Sequence, residues 1–147
     1  MTAGSELLFV YGTLLGQSGH PMSKLLAEHG RLLGEGSIRA RLYIIDDPDE
    51  PGQNFYPGAV PSAKASDQVF GELHQVLNPA LVFEAFDVFE ACAPGANEPY
   101  EFLRRPILVT LQDGTQHWAR TYLYTWDISE ARHVPSGRYT EATPDIR

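Results

Sequence analysis

The sequence predicts an α+β protein in which strands predominate, and three observations lead to that prediction. The 147 residues suffice for one compact domain. Apolar residues make up 43% of the chain, which is enough to bury a continuous core. Several short apolar or alternating runs have the strand pattern, whereas two stretches have helical spacing. Because no repeat or linker interrupts these runs, we expect a single domain over residues 1–147.

The N-terminal part of the chain is expected to begin with a strand and a helix. The continuous apolar run Leu7–Tyr11 ends at Gly12, which is typical of a strand buried on both faces. Leucines at helical spacing then predict a helix over 22–33, with Gly30 and Gly34 as its breakers. The first strand is therefore expected at the centre of the fold.

Two further strands are expected on either side of an irregular stretch. Alternating apolar residues predict a strand over 38–46. Residues 46–66 are rich in proline and glycine and are expected to be irregular. Alternation returns over Val69–Val76, where Gly71 indicates a bulge or a close backbone approach.

The C-terminal half is expected to hold a helix followed by a β-hairpin. Asn78 and Pro79 have the residue types of a helix start, and the apolar stripe that follows predicts a helix to about Glu90. Asp113–Gly114 separates two β-type runs, 102–112 and 115–126, and is the strongest short-range hairpin signal. The polar C-terminal residues are expected to lie on the surface.

Charge and cysteine content exclude several classes of function. Nineteen acidic and eleven basic residues give a net charge of −8, and no Lys/Arg cluster offers a site for nucleic acid or an anionic membrane. The single cysteine, Cys92, has no partner for an internal disulfide, and no Cys/His spacing fits zinc. No targeting segment is visible. We therefore expect a cytoplasmic protein without a metal.

Familiar catalytic motifs are missing from the sequence. The Gly-x-Ser-x-Gly, Gly-x-Gly-x-x-Gly and P-loop patterns do not occur, and the five histidines are scattered. Neither a hydrolase-type nucleophile nor a bound cofactor is therefore expected.

Two features nevertheless suggest chemistry. The turn formed by Tyr11, Gly12, Thr13 and Leu14 can aim backbone N–H groups at a small anion, although an ordinary turn fits the same residues. Glu90 follows the apolar flank of its helix, where burial would raise its pKa and suit it to proton transfer. If the helix instead ends at Val88, Glu90 is a solvated loop residue, and the pattern favours neither reading.

For the other acidic and aromatic residues, the sequence favours a structural role over a functional one. Glu84 and Asp87 fall toward the polar face of the Glu90 helix and are expected to be solvated. Aromatic residues could line a pocket, but core packing is the favoured interpretation. These residues are Tyr56, Tyr100, Tyr122, Tyr124 and Trp126, the last three sharing a face with Trp118 and Arg120.

A set of short motifs follows in order along most of the chain: Leu8–Leu14, Tyr56–Val60, Val69–Leu73, Phe86–Glu90, Tyr100, Arg104–Arg105, Asp113–Gly114, Ala119–Tyr124 and Ser136–Gly137. In this order and spacing they resemble the γ-glutamylcyclotransferase-like superfamily. Within it, Val10–Leu14 and Phe89–Cys92 look most like the γ-glutamylamine cyclotransferase (AIG2-like) branch. The chain departs from the family pattern at Ala91, where glycine is frequent, and in a Pro/Gly-rich insert before Tyr100.

The resemblance implies a small mixed β-barrel with flanking helices. It makes Glu90 the general base and acid at the mouth of a cavity, and it makes the Tyr11–Leu14 turn the binding site for a γ-glutamyl group. Tyr100 and Tyr122 are assigned to the same substrate site. The implied reaction closes the substrate's own α-amine onto its γ-carbonyl and needs neither a protein nucleophile nor a cofactor, in agreement with the missing motifs.

The expected function is therefore a cytoplasmic cyclotransferase, of the lyase or transferase class, that releases 5-oxoproline from a γ-glutamyl amine or amino acid. One alternative is a non-catalytic module that binds a small ligand on the same fold. Another is an enzyme acting on a γ-glutamyl group attached to a carrier protein or an antibiotic precursor. The sequence leaves the leaving group and the oligomeric state open.

Overall fold

The computed structural model describes residues 6–11, 21–53, 55–90, 92–96 and 98–139. Their helices and strands follow in this order: β1 (Glu6–Val10), α1 (Pro21–His29), β2 (Gly30–Ile38), β3 (Ala40–Asp46), β4 (Phe55–Pro61), β5 (Val69–Val76), α2 (Pro79–Phe89), β6 (Phe102–Leu111), β7 (Gln116–Tyr124) and β8 (Arg132–Val134). None of the helices within these ranges is long and apolar enough to span a membrane.

Five strands close into a barrel in the order β1-β5-β2-β6-β7. The barrel is mixed because β1 runs antiparallel to β5 and parallel to β7. A three-stranded sheet with the order β4-β3-β8 lies beside it. The predicted α+β class, a small mixed barrel with flanking helices, is confirmed.

Strand β1 contributes to two cores, one on each face. Leu8 and Val10 join the cluster that includes the helix residues Val82 and Phe86. Phe9 faces the other way, into a cluster built with β3, β5 and β7. The predicted burial of this strand on both faces is confirmed, and it brings the end of β1 close to helix α2.

The helix predicted over 22–33 is wrong in its C-terminal part. Helix α1 ends at His29, and Gly30 begins strand β2, which pairs with β5 from Gly30 opposite Val76 onward. Gly30 therefore acts as a breaker, as expected. Leu32 and Leu33 continue the helical spacing, but Leu32 pairs with His74 of β5, Leu33 lies at the register shift that follows, and both side chains are exposed.

The irregular structure predicted for 46–66 is wrong in part, because strand β4 lies within it. Residues Phe55–Pro61 pair along their whole length with β3. Two prolines are tolerated because β4 is an edge strand, with pairing on one side only. The strand predicted over 38–46 is also divided: β2 ends at Ile38 in the barrel, and β3 begins at Ala40 in the other sheet.

The remaining expectations agree with the structure more closely. Strand β5 has the predicted bounds, and the hairpin turn lies at Asp113–Gly114, where the Asp113 carboxylate accepts the Thr115 N–H at 2.9 Å. Asn78 precedes α2, but its side chain makes no capping hydrogen bond. The C-terminal part contributes a short strand, β8, whose Val134 is buried rather than on the surface.

Gly71 confirms the predicted close approach and gives a first test. A Cβ at this position would lie 2.1 Å from the carbonyl oxygen of Val10 and 2.8 Å from the Phe9 ring. We expect Gly71→Ala to lower the free energy of unfolding by about 3 kcal/mol or more, measured by urea denaturation.

Gly52→Ala is the matched control, because Gly52 has a φ of 75° but a Cβ there would meet no atom within 4 Å. This variant measures the backbone effect alone: replacing a glycine in the left-handed region by alanine lowers the free energy of unfolding by about 1 kcal/mol. Equal losses in the two variants would contradict the close approach.

Candidate active site

Helix α2 places the Glu90 side chain at the end of its buried face. The helix packs Val82, Phe83 and Phe86 into the core, ends at Phe89, and has Glu90 as its C-terminal cap. The Glu90 N–H donates to the Phe86 carbonyl at 2.8 Å. The helix therefore runs past Val88, and Glu90 follows its apolar flank as the burial interpretation requires.

The Glu90 carboxyl lies in a desolvated environment although the residue keeps partial contact with solvent. Burial, assisted by the negative charge of Glu101, raises the pKa of Glu90 from 4.5 to about 7. Near neutral pH this side chain is therefore present in both protonation states. Such a group can accept a proton and return it within one reaction cycle.

The Tyr11 hydroxyl is held by hydrogen bonds from two sides. It donates to the Tyr122 carbonyl at 2.6 Å and accepts the Ala59 N–H at 3.1 Å. Burial and, secondly, the Glu90 charge raise the pKa of Tyr11, so its hydroxyl stays protonated. Tyr11 directly follows β1 and is the first residue of the predicted binding turn. Residues 12–14 lie outside the described residues, so Gly12, Thr13 and Leu14 stay a prediction.

Tyr122 supports the helix that carries Glu90. Its hydroxyl donates to the Asp87 carboxylate at 2.6 Å, and its ring stacks on Phe86 with a centroid distance of 6.2 Å. The Arg104 guanidinium pairs with the same carboxylate at 3.5 Å. The expectation that Asp87 is solvated is therefore wrong, because the helical pattern carries no information about partners on β6 and β7. Glu84 is exposed, as expected.

Tyr100 and the other aromatic residues divide into two groups. Tyr100 is half-buried just before β6, and its carbonyl accepts a hydrogen bond from the Thr125 hydroxyl. Tyr122 and Tyr124 are buried, whereas Trp118 is 68% exposed and Arg120 is also exposed. The predicted common face is therefore buried at Tyr122 and Tyr124, which pack with α2 and β4, whereas Trp126 beyond β7 is 39% exposed.

Glu101 and Tyr56 form a contact that the sequence analysis missed. The Tyr56 hydroxyl donates a hydrogen bond to Glu101 Oε2. Tyr56 packs on Phe102, which in turn contacts Tyr124 edge to face at 5.3 Å. Tyr56 falls within the stretch predicted to be irregular, and no local pattern indicates that it faces Glu101, 45 positions further along the chain. The chain ranges that the structure describes contain no cluster of three or more potential metal-ligating side chains.

The fold is a small mixed barrel, and its candidate site is a desolvated carboxyl at the C-terminal end of α2. The family model described as gamma-glutamyl cyclotransferase, AIG2-like, matches residues 8–141. The chain belongs to this family. Among curated proteins no match is found.

Solved structures show the same fold at low sequence identity. YkqA from Bacillus subtilis has a TM-score of 0.63 at 19% identity, and the match covers 93% of this chain but 40% of YkqA. A protein named gamma-glutamyl cyclotransferase has a TM-score of 0.60 at 18% identity, with 82% of this chain and 67% of that one covered. An AIG2-like protein from Mus musculus has a TM-score of 0.58 at 21% identity, with 98% and 99% covered.

The raised pKa of Glu90 predicts a pH-dependent effect of Glu90→Gln on stability. The native state holds this proton more tightly than the unfolded chain, so wild-type stability falls as pH rises from 4.5 to about 7. A neutral glutamine avoids that loss. We expect Glu90→Gln to raise the free energy of unfolding by about 1–3 kcal/mol at pH 8, measured by urea denaturation.

The difference between Glu90→Gln and wild type should shrink towards pH 4.5, where the wild-type side chain is also neutral. Glu84→Gln, on the exposed face of the same helix, is the control and should show no such trend. A Glu90→Gln effect independent of pH would contradict the desolvated carboxyl.

Proposed function

We propose that the protein is a cofactor-independent cyclotransferase that converts a γ-glutamyl amine or γ-glutamyl amino acid to 5-oxoproline and a free amine. The observation that carries this proposal is the Glu90 carboxyl, whose pKa of about 7 suits it to both halves of a proton transfer. The family membership and the similar fold of a protein named gamma-glutamyl cyclotransferase support the same reaction. The proposed partner is a small molecule, and the proposed location is the cytoplasm.

The first step is removal of a proton from the substrate α-ammonium. This group has an ordinary pKa near 8, so at neutral pH it lacks the lone pair that a nucleophile needs. Ionised Glu90 accepts one proton from it. The freed nitrogen lone pair then attacks the γ-carbonyl carbon and closes a five-membered ring, and the carbonyl electrons move onto oxygen. Holding the folded-back substrate supplies the proximity that an intramolecular attack requires.

The second step is expulsion of the leaving amine. The oxyanion reforms the carbonyl, and the bond between the γ-carbon and the leaving nitrogen breaks. Protonated Glu90 donates its proton to that nitrogen. The ring nitrogen loses a second proton as it becomes a lactam, and the released amine takes up this proton to leave as an ammonium ion. Glu90 ends the cycle ionised, and the proton count is unchanged.

The remaining site residues are assigned to binding and support. Backbone N–H groups of the Tyr11–Leu14 turn would hold the γ-glutamyl group or the developing oxyanion. Local amides suit this task, since the net charge of −8 does not attract an anionic substrate. Tyr100 stays in the proposed substrate site. Tyr122 contributes through Asp87 and Phe86, which fix the helix that ends at Glu90.

The proposal predicts that Glu90→Gln loses 5-oxoproline formation while keeping the fold. The amide is isosteric but cannot accept the ammonium proton, so kcat should fall at least about 100-fold. Product release would be measured by mass spectrometry with γ-glutamyl amines, γ-glutamyl amino acids and glutathione as substrates.

Glu84→Gln on the same helix should retain wild-type activity, because its carboxylate is exposed. Circular dichroism of both variants checks that the fold is kept. Full activity in Glu90→Gln would rule out Glu90 as the acid and base.

A further inference from the structure

The Asp87 carboxylate is bound by two residues that lie opposite each other on β6 and β7. Arg104 of β6 pairs with Tyr122 of β7. Arg104 Nη2 lies 3.5 Å from Asp87 Oδ2, and the Tyr122 hydroxyl donates to Asp87 Oδ1 at 2.6 Å. Each carboxylate oxygen therefore has its own partner, and both partners come from one pair of the barrel ladder.

The Arg104 side chain also contacts α2 one turn before Asp87. Its guanidinium carbon lies 4.6 Å from the centroid of the Phe83 ring. Phe83 and Asp87 are four residues apart, so they lie on the same face of the helix. Arg104 and Asp87 are both partly buried, which shelters their ion pair from screening by salt. Arg104 therefore ties the last two turns of α2 to the barrel.

Asp87 begins the hydrogen-bonded turn that contains Glu90. The Asp87 carbonyl accepts the Cys92 N–H at 2.9 Å, and the Glu90 N–H donates to the Phe86 carbonyl at 2.8 Å. These two bonds hold the backbone from which the Glu90 side chain extends. The Cys92 sulfur also lies 4.0 Å from Asp87 Oδ1. A displacement of Asp87 would therefore displace Glu90.

We propose that Arg104 is a positioning residue that, through Asp87, holds the Glu90 carboxyl where it can reach the reacting nitrogen atoms of the substrate. This inference rests on the proposed cyclotransferase function and assigns a role to a residue outside the predicted site. Glu90 must take a proton from one nitrogen and give it to another, so its placement matters in both steps. A misplacement of about 1 Å can cost about 100-fold in rate.

Two neighbouring arginines give a variant and its matched control. Arg104→Met removes the guanidinium but keeps an unbranched side chain over Phe83. Arg105→Met removes the same charge from the next residue of β6, which is exposed and lies opposite Thr121. Successive side chains of a strand point to opposite faces, so Arg105 is directed away from α2.

The first experiment is the steady-state kinetics of 5-oxoproline formation at neutral pH, with the folded fraction of each variant measured by circular dichroism. In Arg104→Met we expect kcat to fall about tenfold while KM stays within about twofold of wild type. Arg105→Met should equal wild type. A purely structural contact would change only the folded fraction. A wild-type kcat in folded Arg104→Met, or an equal fall in Arg105→Met, would overturn the proposal.

A double-mutant cycle tests whether Arg104 acts through Asp87. Asp87→Asn keeps an oxygen that accepts the Tyr122 hydrogen bond but removes the charge that pairs with Arg104. If both residues act through this pair, the double variant should lose no more kcat than the weaker of the two single variants. Losses that multiply would show that Arg104 acts by another route and would overturn the proposal.

The last experiment needs no activity. Hydrogen exchange of the Glu90 and Cys92 amides, measured by NMR, reports the two hydrogen bonds of the turn. Both amides should exchange about fivefold faster in Arg104→Met than in wild type, and at the wild-type rate in Arg105→Met. Unchanged exchange in Arg104→Met would overturn the role of Arg104. Faster exchange without 5-oxoproline from any γ-glutamyl compound would instead overturn the proposed function and confirm that Arg104 holds the turn.

Discussion

Burial of the Glu90 carboxyl at the end of α2 is the constraint on which the site depends. Removing a carboxylate from water is unfavourable, and burial, assisted by the charge of Glu101, raises the pKa of Glu90 so that it keeps its proton to higher pH. The side chain is consequently poised between two protonation states near neutral pH. A solvated glutamate at the same position would be fully ionised at neutral pH, and its carboxylate would be a weak base.

Contacts from several strands fix helix α2 and the end of β1. Asp87, one turn before Glu90, is fixed by Tyr122 from β7 and by Arg104 from β6. Tyr11 leaves β1 on the other side, tied to β7 and to β4 through its hydroxyl. The Tyr11 hydroxyl thus links the barrel to the three-stranded sheet.

Local patterns in the sequence predicted those parts of this arrangement that depend on neighbours along the chain. The apolar stripe of α2 predicted the helix that ends at Glu90 but left the burial of its carboxyl open, and Asp113–Gly114 predicted the hairpin. The other parts of the arrangement depend on hydrogen bonds between residues that are distant in the sequence. β4 contains prolines that indicate a loop, yet it is a strand because β3 supplies its hydrogen bonds. The partners of Asp87 and Glu101 lie on strands that are distant in the sequence, so the local spacing of residues could not reveal these contacts.

The most direct test of the desolvated carboxyl is titration of Glu90 in the wild-type protein without substrate, followed through its side-chain carboxyl carbon by NMR. We expect a midpoint near pH 7, well above the ordinary 4.5, together with a protein that stays folded across the range. A midpoint close to 4.5 would show that water solvates the carboxylate and would contradict the account of the site.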